Sequence, residues 1–254
     1  MPSRPYVLAE RTWRAAPERA VDLAVLPWGA TEAHNTHLPY ATDTIAAERV
    51  AIDAAGIAWD RGAGVVVLPA VPFGVHTGQR DVSFCLNVNP STQLRLFSDL
   101  ASSLVPHGVR KLVIVNGHGA NDFRPMIREL QGVVPLFLCA LNWFSVLDAR
   151  PFFAEPGDHA GELETSAMLH LAPDLVRPLS DAGTGAARTF RIAGLREGWV
   201  WAPRQWSQVT PDTGSGNPAA ASKEKGALFV EAATRRIAEF LVELAAANPD
   251  DLYT

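Results

Sequence analysis

The 254-residue chain reads as an α/β protein, a three-layer α/β/α domain around a mainly parallel central sheet. Three observations predict this. Short β-branched or Leu-rich runs recur along the chain, each almost continuously apolar, as expected of strands covered on both faces. Longer stretches with helical spacing separate them, the alternation of a parallel sheet and its crossover helices. Residues able to do chemistry gather where an apolar run gives way to a turn, and in such folds that is the rim where ligands bind.

Strands are expected at Val21 to Leu26, Val65 to Leu68, Lys111 to Val115 and Pro135 to Leu141. Asp43 to Ala55 and Ser91 to Val105 have helical spacing, and each begins with a residue able to cap the free N–H groups of a first turn. Asn121 to Gln131 forms a further helix with Pro125 in its opening turn. Glu162 to Leu171 carries good helix formers and stops before Pro173. From Ala219 to Ala247, Phe229, Ala233, Ile237, Phe240 and Leu244 fall apart from Leu228, Glu231, Arg235 and Glu239. This predicts an amphipathic helix that closes the core. Leu179 to Pro218 is rich in Gly, Pro, Thr, Arg and Trp with little periodicity, and reads as long loops that wall a site or make a subunit contact. Trp199, Trp201 and Trp206 lie in this stretch as candidate pocket walls. No repeat, linker or low-complexity tract divides the chain, so residues 1–254 are expected to form one domain.

Composition excludes several functions. The chain is 48% hydrophobic and 19% charged, with mean hydropathy near zero, values of a soluble globular protein with no need of a bilayer. A net charge of −5, with no basic run interleaved with aromatics, argues against nucleic acid as a partner. The N-terminus lacks the apolar stretch and cleavage site of a secretory signal, so the cytoplasm is the expected location. Cys85 and Cys139 stand in apolar surroundings without metal or redox spacing, and read as buried structural thiols.

Three clusters carry the chemistry. Glu32 and His34 follow the first apolar run, and i, i+2 spacing in an extended segment points both to one side. Asp43 opens the next helix and can turn its carboxylate back to them. His118 leaves the third run inside Asn116-Gly-His-Gly-Ala-Asn121, where Gly117 and Gly119 permit a tight path. His159, Glu162 and Glu164 open the fourth helical stretch. Each cluster alone fits an ordinary hydrogen-bonded network. Together, Glu32, Asp43 and Glu164 would repel one another without a cation, and carboxylates mixed with imidazoles suit a divalent metal. His37 is read as an orienting group or a loop hydrogen bond, His76 and His107 as structural or surface residues, and His170 as a helix-end cation.

Pro27 to Thr44 resembles the creatininase (creatinine amidohydrolase) family pattern Pro-x-Gly-x-x-Glu-x-His-Gly-x-His-Leu-Pro-x-x-Thr-Asp-Thr. The second cluster resembles that family's Asn-Gly-His-Gly-x-Asn, and the third its His-Ala-Gly-x-x-Glu-Thr-Ser, in family order over about residues 24 to 170. The resemblance implies a three-layer fold holding two divalent ions, with zinc first and manganese or iron as alternatives, in a homo-oligomer that is a hexamer by family likeness. It places Glu32, His34, Asp43 and His118 on metal-ligand positions, with Asp43 as the bridge, and His159 on the proton-transfer position. Creatininase itself has a Glu where this chain has Ala120. Members lacking it draw the fifth ligand from the Glu-Thr-Ser acid, so the ligand is Glu164, with Glu162 as the substitute. Asn35-Thr36 replaces the usual Gly-Pro, and Val82 to Val88 stands where many members carry Phe-Pro-Gly-Thr. Both departures are expected on the substrate side. The implied activity is metal-dependent hydrolysis of a C–N bond in a small molecule, a cyclic amide or formamide. A metal-dependent sugar or keto-acid isomerase or lyase is the alternative, since the same ions can stabilise an enediolate.

Overall fold

The computed structural model describes residues 4–13 and 19–254. Four strands, β1 (Leu23–Trp28), β2 (Val65–Val67), β3 (Lys111–Asn116) and β4 (Phe137–Asn142), form one sheet in the order β2-β1-β3-β4. All three pairings are parallel. The longer helices are α1 (Thr42–Asp60), α2 (Pro90–Leu104), α3 (Phe123–Leu130), α4 (Glu162–Leu171) and α7 (Lys223–Ala246). Two single turns, α5 (Ala193–Arg196) and α6 (Trp206–Val209), interrupt the long loops before α7.

Strand alternation builds two cores. Leu23, Val25, Val65, Val67, Val113 and Val115 face α1, α4 and α7. Ala24, Leu26, Trp28, Val66, Leu112 and Ile114 face Phe97 of α2 and Phe123 and Met126 of α3. Both faces of β1, β2 and β3 are covered, which is why these strands read as unbroken apolar runs, whereas the edge strand β4 is only partly buried. Phe229, Ala233, Ile237 and Leu244 of α7 are buried, whereas Leu228 is exposed, so the amphipathic reading of that helix describes its packing.

The elements depart from the sequence reading mainly at their ends. β1 starts two residues later and runs through Pro27 to Trp28. Proline is tolerated in this central strand because its nitrogen faces the side where β2 has already ended opposite Val25. Neither Asp43 nor Ser91 is a cap: Ala41 and Asn89 precede α1 and α2, and neither makes a side-chain capping bond. Asp43 instead sits inside the first turn, where its carboxylate favours the positive end of the helix dipole. Cys85 and Cys139 are free and only partly buried. Among the described residues no helix is long and apolar enough to cross a membrane.

Lys111 holds the sheet to the end of α7. Its Nζ is buried, 2.9 Å from Asp22 and 3.0 Å from the carbonyls of Leu244, Ala245 and Ala247. A cation satisfies the unpaired carbonyls at a helix C-terminus and suits its dipole. Lys111→Met removes the charge and strands these acceptors. It is expected to lower unfolding free energy by about 3–5 kcal/mol in urea titration. A loss below about 1 kcal/mol, the scale of an exposed pair, would remove Lys111 from this role.

Candidate metal centre

Parallel register fixes where the clusters meet. Trp28 pairs with Asn116 at the carboxyl ends of β1 and β3, so both strands deliver their following segments to one rim. Gly117 then allows a backbone approach that no other residue could make, since a Cβ there would lie 2.3 Å from the Asp43 carbonyl oxygen. That contact seats the first turn of α1 beside His118. Gly119 has open space around the same position and is not required sterically. Asn121 locks the junction: its Nδ2 donates to Asn116 Oδ1 and to the Gly29 carbonyl. Its Oδ1 accepts from Val75 N and Gln93 Nε2.

Glu32, His34, Asp43, His118, His159 and Glu164 converge there. Glu32 Oε1 is 2.8 Å from His118 Nδ1 and 3.7 Å from His159 Nδ1. Asp43 lies between two imidazoles, Oδ1 3.1 Å from His34 Nε2 and Oδ2 3.1 Å from His118 Nδ1. Glu164 Oε2 is 4.0 Å from His34 Nε2 and accepts from Ala160 N at 2.5 Å. Ala160 has φ +51°, and this left-handed turn aims its N–H at the carboxylate.

Each imidazole is oriented by a carbonyl on its far side. His34 Nδ1 donates to Glu32 O at 3.1 Å, His118 Nε2 to Val75 O at 2.9 Å and His159 Nε2 to Ala33 O at 2.8 Å. The other nitrogen of each ring is thereby presented to the carboxylates, the usual support of a metal-binding histidine. Gln79 Nε2 donates to Glu32 Oε2 at 2.7 Å, leaving Oε1 towards the cluster. Cys85 Sγ in turn donates to Gln79 Oε1 at 3.2 Å. Trp206 closes one side, its ring 4.8 Å from that of His159. Arg204 stacks on Trp206 and pairs with Asp158 at 2.7 Å, tying the wall to the residue next to His159.

Charge in this enclosure is tightly balanced. Burial opposes a proton on His34, but Asp43, Glu164 and Glu32 outweigh it and push its pKa up to about 10. His118 rises for the same reasons, with Glu32 the main attraction against burial. Burial would raise Glu32 and Asp43, yet the facing imidazoles hold both below the ordinary carboxylate range. Glu164 is raised by burial, only partly offset by His34 and His159. Three carboxylates thus draw positive charge onto their neighbours.

These residues fit divalent ions. Oxygen and nitrogen donors from Glu32, His34 and His159, and from His34, Asp43 and Glu164, come within 4.8 Å of one another in each set. Asp43 Oδ2 is buried and, although 3.1 Å from His118 Nδ1, makes no hydrogen bond, as a carboxylate oxygen shaped for a cation would be. Glu162 stands apart: it is fully buried, ion-paired to Lys225 and bonded to Glu155 N at 2.9 Å. It therefore supports α4 against α7, and Glu164 is the acid that faces the cluster.

Several sequence readings change here. Asn35 has φ +54°, a conformation that explains why Asn can stand for Gly. Its amide is turned to Gly183, accepting from Gly183 N at 2.8 Å and donating to Gly183 O at 3.1 Å. Thr36 Oγ1 bonds Asp181 O. The pair clamps the loop at Asp181 to Gly183. Trp199 and Trp201 are 76% and 83% exposed, so only Trp206 of that group walls the site. His37 is buried with Nε2 2.9 Å from Thr165 Oγ1 on α4, a bond outside the cluster. His76 is not at the surface: it is 4% exposed and lies with Glu32 and His118. The sequence reading did not connect His76 with the cluster and passed over Gln79, although Gly74 to Gln79 follows the β2 run, a position that by itself points to the rim.

The fold and site together define a class, an α/β/α protein with a buried acid and imidazole centre suited to divalent metal. The family model described as creatinine amidohydrolase matches residues 9–241, and the chain belongs to this creatininase family, whose hydrolases act on carbon–nitrogen bonds. A solved Bacteroides fragilis protein, provisionally described as a creatinine amidohydrolase, is 43% identical with TM-score 0.92, over 98% of this chain and 99% of its own. A solved creatininase variant of zinc–zinc type is 25% identical with TM-score 0.75, over 96% of this chain and 100% of its own. The mycofactocin precursor peptide peptidase of Mycobacterium tuberculosis is 29% identical over 250 residues, 91% of this chain and 88% of that protein.

His37 provides a pH test. Burial, then the charge of His34, lowers its pKa to about 4, below the value of about 6.5 for a free imidazole. The unfolded chain therefore binds a proton first as pH falls, and stability is lost between about 6.5 and 4. His37→Gln removes that proton uptake. Urea titrations at both ends of the window should show a smaller loss on acidification for the variant than for wild type; equal losses would refute the assignment.

Proposed function

We propose that the chain is a divalent-metal-dependent amidohydrolase that cleaves a C–N bond in a small molecule, a cyclic amide or a formamide. The observation carrying this reading is the convergence of Glu32, His34, Asp43, His118 and Glu164, five lone-pair donors on one buried point of the rim. In this reading Glu32, His34, Asp43, His118 and Glu164 would hold two ions, zinc first and manganese or iron as alternatives. When bound, such ions polarise an amide carbonyl and make water acidic enough to attack near neutral pH.

The chain's own residues perform the rest. Gln79 keeps Glu32 Oε1 turned inward, and the Glu32 and Ala33 carbonyls fix the rings of His34 and His159. His159 is the proposed proton donor, because its Nδ1 faces the cluster while Nε2 is committed to Ala33. A proton delivered there to the departing nitrogen turns a poor leaving group into an amine. Trp206, held by Arg204, excludes water above His159.

Enclosure favours a small substrate. Glu32, His34, Asp43, His118 and His159 are all buried and Glu164 is partly exposed, so a compact amide reaches the donors more readily than an extended peptide. Hydrolysis is preferred to isomerisation or lyase chemistry because the family is one of C–N hydrolases. A homo-oligomer in the cytoplasm, hexameric by family likeness, completes the proposal.

Asp43→Asn tests the centre. Losing the central carboxylate is expected to reduce kcat/KM by more than about 100-fold, beyond the effect of losing an outer support, and to lower metal content measured by elemental analysis. Lactams, cyclic ureas, N-formyl amines and short peptides would be assayed for release of a new amine, before and after chelation. Full turnover by a metal-free protein, or by Asp43→Asn with both ions bound, would overturn the mechanism. Turnover of peptides alone would overturn the substrate class.

A further inference from the structure

We propose that His76 is an additional protein ligand of the metal centre, joining Glu32, His118 and Asp43 around one of its two ions. This inference rests on the reading of the cluster as a metal centre and extends its ligand set beyond the positions implied by the family motifs.

The His76 ring is buried at 4% exposure, and neither Nδ1 nor Nε2 has a hydrogen-bond partner. Leaving a buried polar group unmet is costly. Two such atoms on one ring therefore need a reason. The ring is not loosely placed. Its backbone N donates to Asn87 Oδ1 at 2.9 Å, and its carbonyl accepts from Gln79 N at 2.9 Å. It meets the His118 ring edge-on at 5.7 Å between centroids.

A donor atom of His76 lies within 4.8 Å of donor atoms of both Glu32 and His118. The third member fixes the chemistry: His118 Nε2 donates to the Val75 carbonyl, so Nδ1 is the nitrogen left facing the cluster, where a cation can take the place of its proton. Glu32 Oε1 is a carboxylate acceptor. An imidazole, a second imidazole and a carboxylate turned towards one point are complementary to a cation. Val75 and His76 are adjacent, so one stretch of loop after β2 orients one ligand and supplies the next.

The consequence is asymmetry. One ion would have Glu32, His76, His118 and the shared Asp43, whereas the other would have His34, Glu164 and Asp43. The richer set should bind more tightly, and the poorer set should retain more room for substrate or water.

Zn²⁺ titration against a chromophoric chelator, using metal-stripped wild type, His76→Ala and His76→Asn, tests this assignment. Wild type is expected to take two ions of unequal affinity. The tighter is expected to weaken more than tenfold in both variants, and the Co²⁺-loaded proteins should show a changed visible ligand-field spectrum. Metal-free His76→Asn should gain less in melting temperature on adding Zn²⁺ than wild type gains. If His76→Ala fails to fold, His76→Asn decides. Two ions bound by the variants with less than a tenfold change, or an unchanged Co²⁺ spectrum, overturns the His76 assignment and leaves the metal centre intact. Wild type that binds no ion overturns both.

Discussion

Glu32, Asp43 and Glu164 are held around one small buried volume, and that crowding of negative charge constrains everything near it. Unit charges 4 Å apart interact by about 4 kcal/mol at an effective dielectric of 20, so three carboxylates cannot share this space unless positive charge is drawn in. The chain itself does so by raising the proton affinity of His34 and His118. The same demand is what makes the site suited to divalent ions. Each supporting feature holds the carboxylates where they would otherwise separate: the β1/β3 register, the Gly117 contact, the Asn121 network and the bond from Gln79 to Glu32.

Most of the architecture was legible in the chain because three of its four strands are covered on both faces. Continuous apolar runs betrayed them, and the intervening helices followed from their spacing. The errors fall where tertiary context decides. Pro27 reads locally as a strand end, but β2 has stopped on the side its nitrogen faces, so β1 continues. Asp43 has the chemistry of a helix cap, but the pull of His34 and His118 places its carboxylate in the centre instead. Glu32, His34, Asp43 and His118 were readable because short stretches of sequence carry them to a rim that the strand pattern already located. His76 and Gln79 follow a three-residue strand, so their position points to the rim, but no local spacing marks which of their side chains turn inward. The missing partners of the His76 ring exist only in three dimensions.

Asn35 illustrates a related limit. As a departure from a Gly position, it drew attention to the substrate side. Its positive φ shows what the position requires, a left-handed backbone that Gly and Asn share. Once that requirement is met, the side chain is free for another task, and it clamps Gly183. A change inside a motif can thus strengthen a neighbouring loop without touching the chemistry the motif carries.

The two glutamates of α4 show how the centre is tied to the rest of the fold. Residues two apart on a helix point about 200° from one another, so Glu162 and Glu164 cannot both face the cluster. Glu162 turns to Lys225 of α7, and Glu164 turns to His34 and the Ala160 N–H. The helices also meet with little clearance, since a Cβ on Gly226 would come 1.8 Å from the Ser166 carbonyl oxygen. In the proposed ligand set, replacing an acid at Ala120 by Glu164 moves one donor from the strand rim to this helix. The donor's position then depends on how α4 sits against α7, and α7 is itself held at its far end by Lys111 of β3. Metal binding and the closing of the core by α7 are therefore linked through a single helix turn.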